Sequence, residues 1–157
     1  MGFLEPNIMK EIEFRGRPIG KREVWQYGIG AYKTNTAEHL IINAKGESVE
    51  VIHLCQYTGL KDRNGNKIFD GDILRLTIPD GSVRFFVVEW AEEDRKLMPL
   101  GGFEHDGNSV RISGWCFNWK GFHLYPTVID GISDNEKMTI VGNIYDNPEL
   151  LNDESKE

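Results

Sequence analysis

Three side chains that alternate along one short segment are of the types that bind calcium. Asp62, Asn64 and Asn66 match the first three ligand positions of an EF-hand loop. The match then ends, because the sixth position, which requires Gly, is Lys67, and the twelfth, which requires Glu, is Ile73. The strongest ligand is therefore missing, and the segment is predicted to be a hairpin turn.

Two other groups of acidic residues could support acid/base chemistry or cation binding. Asp70 and Asp72 are separated by one glycine, and two nearby carboxylates can share a proton or a cation. Asp in a turn more often accepts backbone N–H bonds, so a structural role is favoured for both. Glu104, His105 and Asp106 form a local acid/base cluster in a predicted loop, where a surface role is favoured. No catalytic residue, metal site or cofactor is predicted.

The histidines and cysteines have no spacing that is typical of a metal site. His39, His53 and His123 are scattered, and no HxH or HxxxH pattern occurs. Cys55 and Cys116 lie outside any CxxC motif, in segments that are typical of strands. We predict buried reduced thiols, with a disulfide or a reactive thiol as the alternative.

An aromatic segment is the best candidate for a binding face. Trp115, Phe117 and Trp119 alternate along a predicted strand and so share one face. With Arg111 and Lys120 nearby, these rings could stack on nucleic acid bases or contact a protein partner. The same spacing is also typical of a buried core, and the exposure of the three rings distinguishes the two interpretations.

Turn residues divide the chain into short strands that are rich in β-branched and aromatic side chains. Asn64-Gly65 predicts a two-residue type I′ hairpin turn, because both residues tolerate positive φ. The segment 79–82, Pro-Asp-Gly-Ser, predicts a second hairpin that joins strands at 73–78 and 83–90. The second of these strands is almost continuously apolar, which predicts a central position in a sheet.

Two helical segments are predicted besides the strands. Residues 91–102 are rich in charged residues and end in Pro and two glycines, which favours a short helical turn. Asn147 precedes Pro148 and two leucines, which predicts a short C-terminal helix. The predicted fold is therefore mainly β, an antiparallel small barrel or sandwich with a short C-terminal helix.

Length and charge indicate a single globular domain. We predict a disordered extension at 1–8, one β domain over 9–152 and a frayed acidic tail at 153–157, with a subdomain boundary near 33–38 as the alternative. The net charge of −7 opposes general attraction to nucleic acid or anionic membranes. The N-terminus has no signal peptide core and no apolar run is long enough to span a bilayer, so a cytoplasmic protein is expected.

Four segments together resemble the YopX family of bacteriophage and prophage proteins. They are FRG at 14–16, EVWQYG at 23–28, QYTGLKDRNGNKIFDGDIL at 56–74 and VGNIYDNPELL at 141–151. The most diagnostic positions lie in the third segment and are Tyr57, Thr58, Gly59, Leu60, Asp62, Asn64, Gly65, Asp70, Gly71 and Asp72. The resemblance implies a mostly β fold and a phage or prophage origin in a bacterial host, and it implies no activity.

Three functions are compatible with these observations. The first is a non-enzymatic phage accessory protein in the bacterial cytoplasm that binds a host or phage protein or forms a homo-oligomer. The second is a nucleic acid-binding small β-barrel, favoured by the aromatic strand beside Arg111 and Lys120. The third, and least favoured, is an enzyme that uses residues 104–106 or the Asp70 and Asp72 pair.

Overall fold

The computed structural model describes residues 10–36, 38–96 and 109–152. Within these residues the protein is mainly β, as predicted, and every strand pair is antiparallel. Contacts between Cα atoms divide the chain into two compact units, Met1–Lys61 with Lys67–Phe69, and Asp62–Asn66 with Asp70–Glu157. The single domain over 9–152 stays a prediction, and the extension at 1–8 and the tail at 153–157 lie outside the described residues.

The first unit is an antiparallel sheet built around one long strand. Its strands are β1 (Phe14–Pro18), β2 (Gln26–Gly28), β3 (Gly30–Lys33), β4 (His39–Ile42), β5 (Ser48–Lys61) and β6 (Lys67–Phe69). The order is β2-β1-β5-β4-β3, with β6 paired to β5. The 14-residue β5 therefore pairs with three other strands and holds the sheet together.

A buried arginine organises the aromatic residues of this unit. Arg15 on β1 is 7% exposed. Its guanidinium carbon lies 4.4 Å from the ring centre of Trp25 and 4.6 Å from that of Phe69. The guanidinium of Arg17 lies 4.3 Å from the Trp25 ring. Cation–π attraction at such distances offsets part of the cost of burying charge.

The second unit contains a five-stranded sheet and a small two-stranded one. The strands are β7 (Asp72–Thr77), β8 (Val83–Lys96), β9 (Ser109–Trp119), β10 (Phe122–Leu124), β11 (Val128–Ile129), β12 (Ile132–Ser133) and β13 (Thr139–Asn143). The larger sheet has the order β10-β9-β8-β7-β13, and β11 pairs with β12. The central position of β8 confirms the prediction from its apolar sequence. The core of the second unit includes Ile73, Leu74, Phe86, Val88 and Phe117.

In the turn between β5 and β6, both carboxylate oxygens of Asp62 accept hydrogen bonds from backbone N–H groups. Oδ1 accepts hydrogen bonds from the backbone N–H groups of Asn64 and Asn66, both at 2.9 Å. Oδ2 accepts a third from the backbone N–H of Ile140 on β13, at 3.0 Å. Asp62 is 3% exposed, and it serves as an acceptor for backbone groups. The predicted hairpin at this position is confirmed.

The type of that turn differs from the prediction. Gly65 has φ of +80°, whereas Asn64 does not have positive φ, so the turn is not a type I′ turn. The loop is longer than two residues: the Gly65 N–H donates to the carbonyl of Asp62 at 3.0 Å, and the Asp62 N–H donates to the carbonyl of Asn66 at 2.9 Å. The Asp62 side chain stabilises this longer loop by accepting two of its N–H groups.

Three further predictions about the fold are corrected. No sheet among the described residues closes into a barrel, because the end strands of each larger sheet do not pair with each other. The predicted C-terminal helix is a single 3-10 turn at Pro148–Leu151, and another lies at Asp134–Lys137. Residues 91–96 continue strand β8 instead of forming a helical turn, because they pair with β9, and residues 97–102 lie outside the described residues. None of the described helices is long and apolar enough to cross a membrane.

Removal of the Asp62 carboxylate should destabilise the protein. Asp62→Ala leaves three backbone N–H groups without their acceptor, and we expect a loss of roughly 2–3 kcal/mol in the free energy of unfolding. Asp62→Asn should lose less, because its one carbonyl oxygen can still accept from the turn. Urea unfolding followed by circular dichroism measures both. Asn64→Ala, at an exposed position of the same turn, is the control, with an expected change within about 0.5 kcal/mol. Equal stability of the Asp62→Ala protein and the wild type would contradict the role of the carboxylate.

Candidate functional site

A two-stranded arm projects from the larger sheet of the second unit. β8 and β9 pair without interruption from Val87↔Asn118 to Lys96↔Ser109. β7 pairs with β8 only up to Val87, and β10 pairs with β9 only from Phe117. The segments 89–96 and 109–116, which we call the β-arm, therefore have no third strand beside them among the described residues.

Strand alternation gives this part of the sheet two distinct faces. Successive side chains point to opposite sides of a strand. The register thus places Trp90, Trp115, Phe117 and Trp119 on one side, which we call the aromatic face, as the sequence predicted for the last three. The opposite side, the polar face, carries Glu89, Glu93, Cys116, Asn118 and His123.

The aromatic face exposes one tryptophan that the sequence did not single out. Trp90 is 55% exposed, and its ring packs edge-on against Trp115 with centroids 5.4 Å apart and an interplanar angle of 87°. Trp115 and Trp119 are half-buried, and Phe117 is fully buried opposite Val88. Phe117 therefore belongs to the core and is removed from the predicted binding face.

Trp119 lies between two cations near the turn from β9 to β10. The guanidinium carbon of Arg84 lies 4.3 Å from its ring centre, and the Lys120 ammonium lies 5.4 Å away. Phe122, which is 59% exposed, pairs directly with Trp119. Arg111 lies eight residues earlier on β9, roughly 26 Å away at 3.3 Å per residue, where it forms an ion pair with Asp94 at 3.1 Å. Lys120 is thus placed at the predicted aromatic cluster, and Arg111 is not.

The polar face holds a histidine between two carboxylates. His123 Nε2 lies 3.1 Å from Glu89 Oε1, and Nδ1 lies 3.4 Å from Glu93 Oε2. Asn118 Nδ2 donates to Glu89 Oε1 at 2.7 Å. Arg95 bonds Glu93 Oε1 at 2.6 Å and donates to the backbone carbonyl of His123 at 2.8 Å. Partial desolvation opposes ionisation of Glu93, but the hydrogen bonds from Arg95 and His123 outweigh it and lower the pKa of Glu93.

Cys116 lies beneath this cluster. It is fully buried, and burial together with the nearby charge of Glu89 raises the pKa of its thiol to about 11. The ligand atoms of Glu89, Cys116 and His123 lie within 4.8 Å of one another, which makes them the group that could hold a metal ion among the described residues. Cys55, in the first unit, is also buried and forms no disulfide, so the prediction of buried thiols is confirmed.

The sequence did not predict the cluster on the polar face because its members lie far apart along the chain. A local signal for part of the cluster was the hairpin turn at Lys120 and Gly121, where both residues have positive φ. It pairs His123 with Asn118 and so places His123 on the same face as Cys116. Glu89 could be added only with knowledge of the register between β8 and β9, which no local feature of the sequence specifies.

Of the two other acidic candidates from the sequence, the structure describes the Asp70 and Asp72 pair. Asp72 is fully buried and Asp70 is half-buried, on either side of Gly71. Gly71 has φ of +80°, a conformation that favours glycine. Glu104, His105 and Asp106 lie outside the described residues. The segment after Phe69 is therefore a turn that leads into β7.

A group of basic side chains lines a hollow of about 250 Å³ on the second unit. Arg63, Arg75 and Lys137 surround it together with Thr77 and Thr139. These three cations have no acidic partner within the part of the chain that the structure describes. The hollow is thus a local basic region in an acidic protein.

Both thiols should resist alkylation while the protein is folded. Cys55 and Cys116 are buried, and the raised pKa of Cys116 keeps its reactive thiolate form scarce at mildly alkaline pH. We expect iodoacetamide to modify each at least about tenfold more slowly in native protein than in urea-unfolded protein, measured by mass spectrometry. Native labelling of Cys116 at the unfolded rate would contradict its placement.

Most of the chain matches a known protein family. No curated protein matches it. The crystal structure of protein EF1440 from Enterococcus faecalis is similar over 89% of this chain and 97% of that chain, with 23% sequence identity and a TM-score of 0.46. The sequence profile of the YopX protein matches residues 21–152, which confirms the resemblance predicted from the four segments. The chain belongs to the YopX family.

Proposed function

We propose that this protein is a non-enzymatic phage or prophage accessory protein that binds a protein partner in the cytoplasm of the bacterial host. The partner is a host protein, a phage protein or a second copy of the chain, and it binds at the aromatic face of the β-arm. The observation that carries the proposal is the exposure of Trp90 on top of Trp115. The phage origin is supported by membership of the YopX family.

An exposed indole is unfavourable for an isolated domain and favourable in an interface. Trp90 is 55% exposed, although tryptophan is highly buried on average. Its edge-on contact with Trp115 holds the ring in one orientation. Tryptophan is also enriched among the residues that contribute most to protein–protein binding, because a rigid ring buries a large apolar area at low entropic cost.

The backbone and the charges of the β-arm support a protein partner over a nucleic acid. Among the described residues, no strand pairs with either outer edge of the β-arm. The backbone N–H and C=O groups there could therefore pair with a strand of a partner. The β-arm itself carries four acidic and three basic side chains, which are Glu89, Glu92, Glu93 and Asp94 against Arg95, Lys96 and Arg111. A surface with nearly equal numbers of acidic and basic side chains has no general electrostatic attraction for the phosphate groups of nucleic acids.

Replacement of Trp90 should weaken partner binding without unfolding the protein. Trp90→Ala removes the exposed ring and should weaken binding by about 30-fold or more, the effect of losing about 2 kcal/mol at an interface. Sedimentation velocity of the pure protein measures self-association. Capture from host lysate, quantified by mass spectrometry, identifies other partners. The free energy of unfolding should fall by no more than about 1 kcal/mol, the value of one aromatic pair.

Ile29→Ala is the matched control, because Ile29 is 72% exposed in the first unit and is far from the β-arm in sequence. It should leave both self-association and capture unchanged. A strictly monomeric wild-type protein that retains no partner would contradict the proposal. Equal binding by Trp90→Ala and the wild type would show that the interaction surface lies elsewhere.

A nucleic acid-binding function is the second candidate, favoured by the cations around Trp119. A ring flanked by Arg84 and Lys120 offers a stacking surface with positive charge at its rim. Exposed Phe122 beside it could stack a second base. The basic hollow at Arg63, Arg75 and Lys137 could contact phosphates.

This second function predicts binding to single strands that weakens as salt increases. Arg84→Ala with Lys120→Ala should reduce affinity for a fluorescent oligonucleotide by about tenfold or more in fluorescence anisotropy, and should also lower the slope against salt concentration. Arg22→Ala, at an exposed position of the first unit, should have no effect. The absence of binding at low salt would eliminate this function and leave the protein-binding function untouched.

A further inference from the structure

Three strands bring a carboxylate, a thiol and an imidazole together on the polar face. Glu89 on β8 lies directly opposite Cys116 on β9, and His123 on β10 pairs with Asn118, two residues after Cys116. One oxygen, the sulfur and one ring nitrogen lie within 4.8 Å of one another. Since each side chain comes from the interior of a paired strand, backbone hydrogen bonds fix the positions of all three.

These donors are the ones that zinc prefers. Zn²⁺ is bound in proteins by Cys sulfur, His nitrogen and carboxylate oxygen, whereas Ca²⁺ and Mg²⁺ take oxygen ligands alone. Zinc bonds of 2.0–2.3 Å in a tetrahedron give distances of about 3.4 Å between neighbouring ligand atoms. His123 Nε2 and Glu89 Oε1 lie 3.1 Å apart, close to this distance, and the Cys116 sulfur, which lies within 4.8 Å of both, would have to approach by up to about 1 Å.

The residues around the three donors form hydrogen bonds to them, as the residues behind the ligands do in metal sites. A histidine that binds a metal through one ring nitrogen usually donates its other N–H to a carboxylate. Glu93 lies at that position, with Oε2 3.4 Å from His123 Nδ1, and Arg95 fixes Glu93 through its other oxygen. Asn118 Nδ2 holds the Glu89 carboxylate by donating at 2.7 Å to Oε1, the oxygen that also contacts His123 Nε2.

Burial leaves the cluster open on one side only. The Cys116 sulfur lies fully buried below, while the side chains of His123, Glu93 and Glu89 retain 24%, 30% and 37% of their exposure. The sulfur of Cys116 thus adds a third potential ligand atom to the imidazole nitrogen and the carboxylate oxygen.

We propose that Glu89, Cys116 and His123 bind one Zn²⁺ ion, with Glu93 as the residue that positions His123. Three protein ligands leave a fourth position for water or for a group from another molecule. The site lies on the opposite side of the sheet from Trp90. It is therefore independent of the interaction that we propose for the aromatic face.

Titration of the whole protein with ZnCl₂ and CoCl₂ tests this site. Isothermal titration calorimetry should give one Zn²⁺ ion per chain. Bound Co²⁺ should produce visible bands typical of tetrahedral coordination and a thiolate charge-transfer band in the near ultraviolet. Glu89→Gln and His123→Gln should each weaken binding by more than about 100-fold, and Glu93→Gln should weaken it by about 10–100-fold, as residues behind a ligand do.

The chain offers a matched control for each ligand. Glu92→Gln changes the opposite face of the same strand, His39→Gln changes a histidine of the first unit, and Cys55→Ala removes the other buried thiol. All three should retain full affinity, and Cys55→Ala should keep the charge-transfer band that Cys116→Ala loses. Circular dichroism establishes which variants are folded. If Cys116→Ala does not fold, Glu89→Gln at the partly exposed ligand decides the result.

Two outcomes would overturn the proposal. The first is the absence of saturable binding of Zn²⁺ or Co²⁺ to the wild-type protein. The second is binding at one ion per chain that Glu89→Gln and His123→Gln leave unchanged, because the ion would then be held by other residues, such as His105. Neither outcome depends on partner binding through Trp90, which is measured separately.

Discussion

The register between β8 and β9 is the constraint on which the second unit depends. Ten consecutive residue pairs, from Val87↔Asn118 to Lys96↔Ser109, align without a bulge. Because side chains alternate, a slip of one residue would move Glu89 to the aromatic face and Trp90 to the polar face. The burial of Val88 opposite Phe117 and the ion pair of Arg111 with Asp94 oppose such a slip, and the tight turn at Lys120 and Gly121 sets the register of β10 against β9. The turn is itself held by Asn118, whose side-chain oxygen accepts the Gly121 N–H at 2.8 Å.

Alternation also separates the aromatic cluster from the cluster of His123 with its two carboxylates. The aromatic face carries charged groups as well, Glu92 and the Asp94–Arg111 ion pair, but they lie beyond Trp90 along the β-arm. The polar cluster, in contrast, requires its carboxylates to be close to one another and partly hydrated. With Trp90 on one side and Glu89 on the other, neighbouring residues of one strand contribute to each face. The thin two-stranded β-arm therefore offers two surfaces, each of which can be changed by substitution without altering the other.

Local features of the sequence predicted the fold better than features that depend on distant pairing. The sequence predicted turns at Gly65 and Gly81 because tolerance of positive φ is a property of single residues, and both glycines adopt it. The type of the Asn64-Gly65 turn was wrong because Asp62, two residues earlier, accepts N–H groups that close a longer loop. Residues 91–96 were predicted to be helical from their Glu, Asp, Arg and Lys content, yet pairing with β9 overrides intrinsic propensity there. The exposure of Trp90 and the meeting of Glu89 with His123 both require knowledge of that pairing.

The residues that identify the family and the residues that could bind ligands lie in different parts of the chain. In the block at 57–72, Thr58 donates to the carbonyl of Ile68 at 2.8 Å, Asp62 accepts three backbone N–H groups, and Gly71 adopts positive φ. Each of these roles concerns backbone geometry, so these residues specify how the chain folds. The candidate binding residues lie on β8, β9 and β10. In these strands the fold requires apolar side chains only at the buried positions. Substitutions on the exposed positions of those strands can therefore change what the protein binds while its turns and register stay the same.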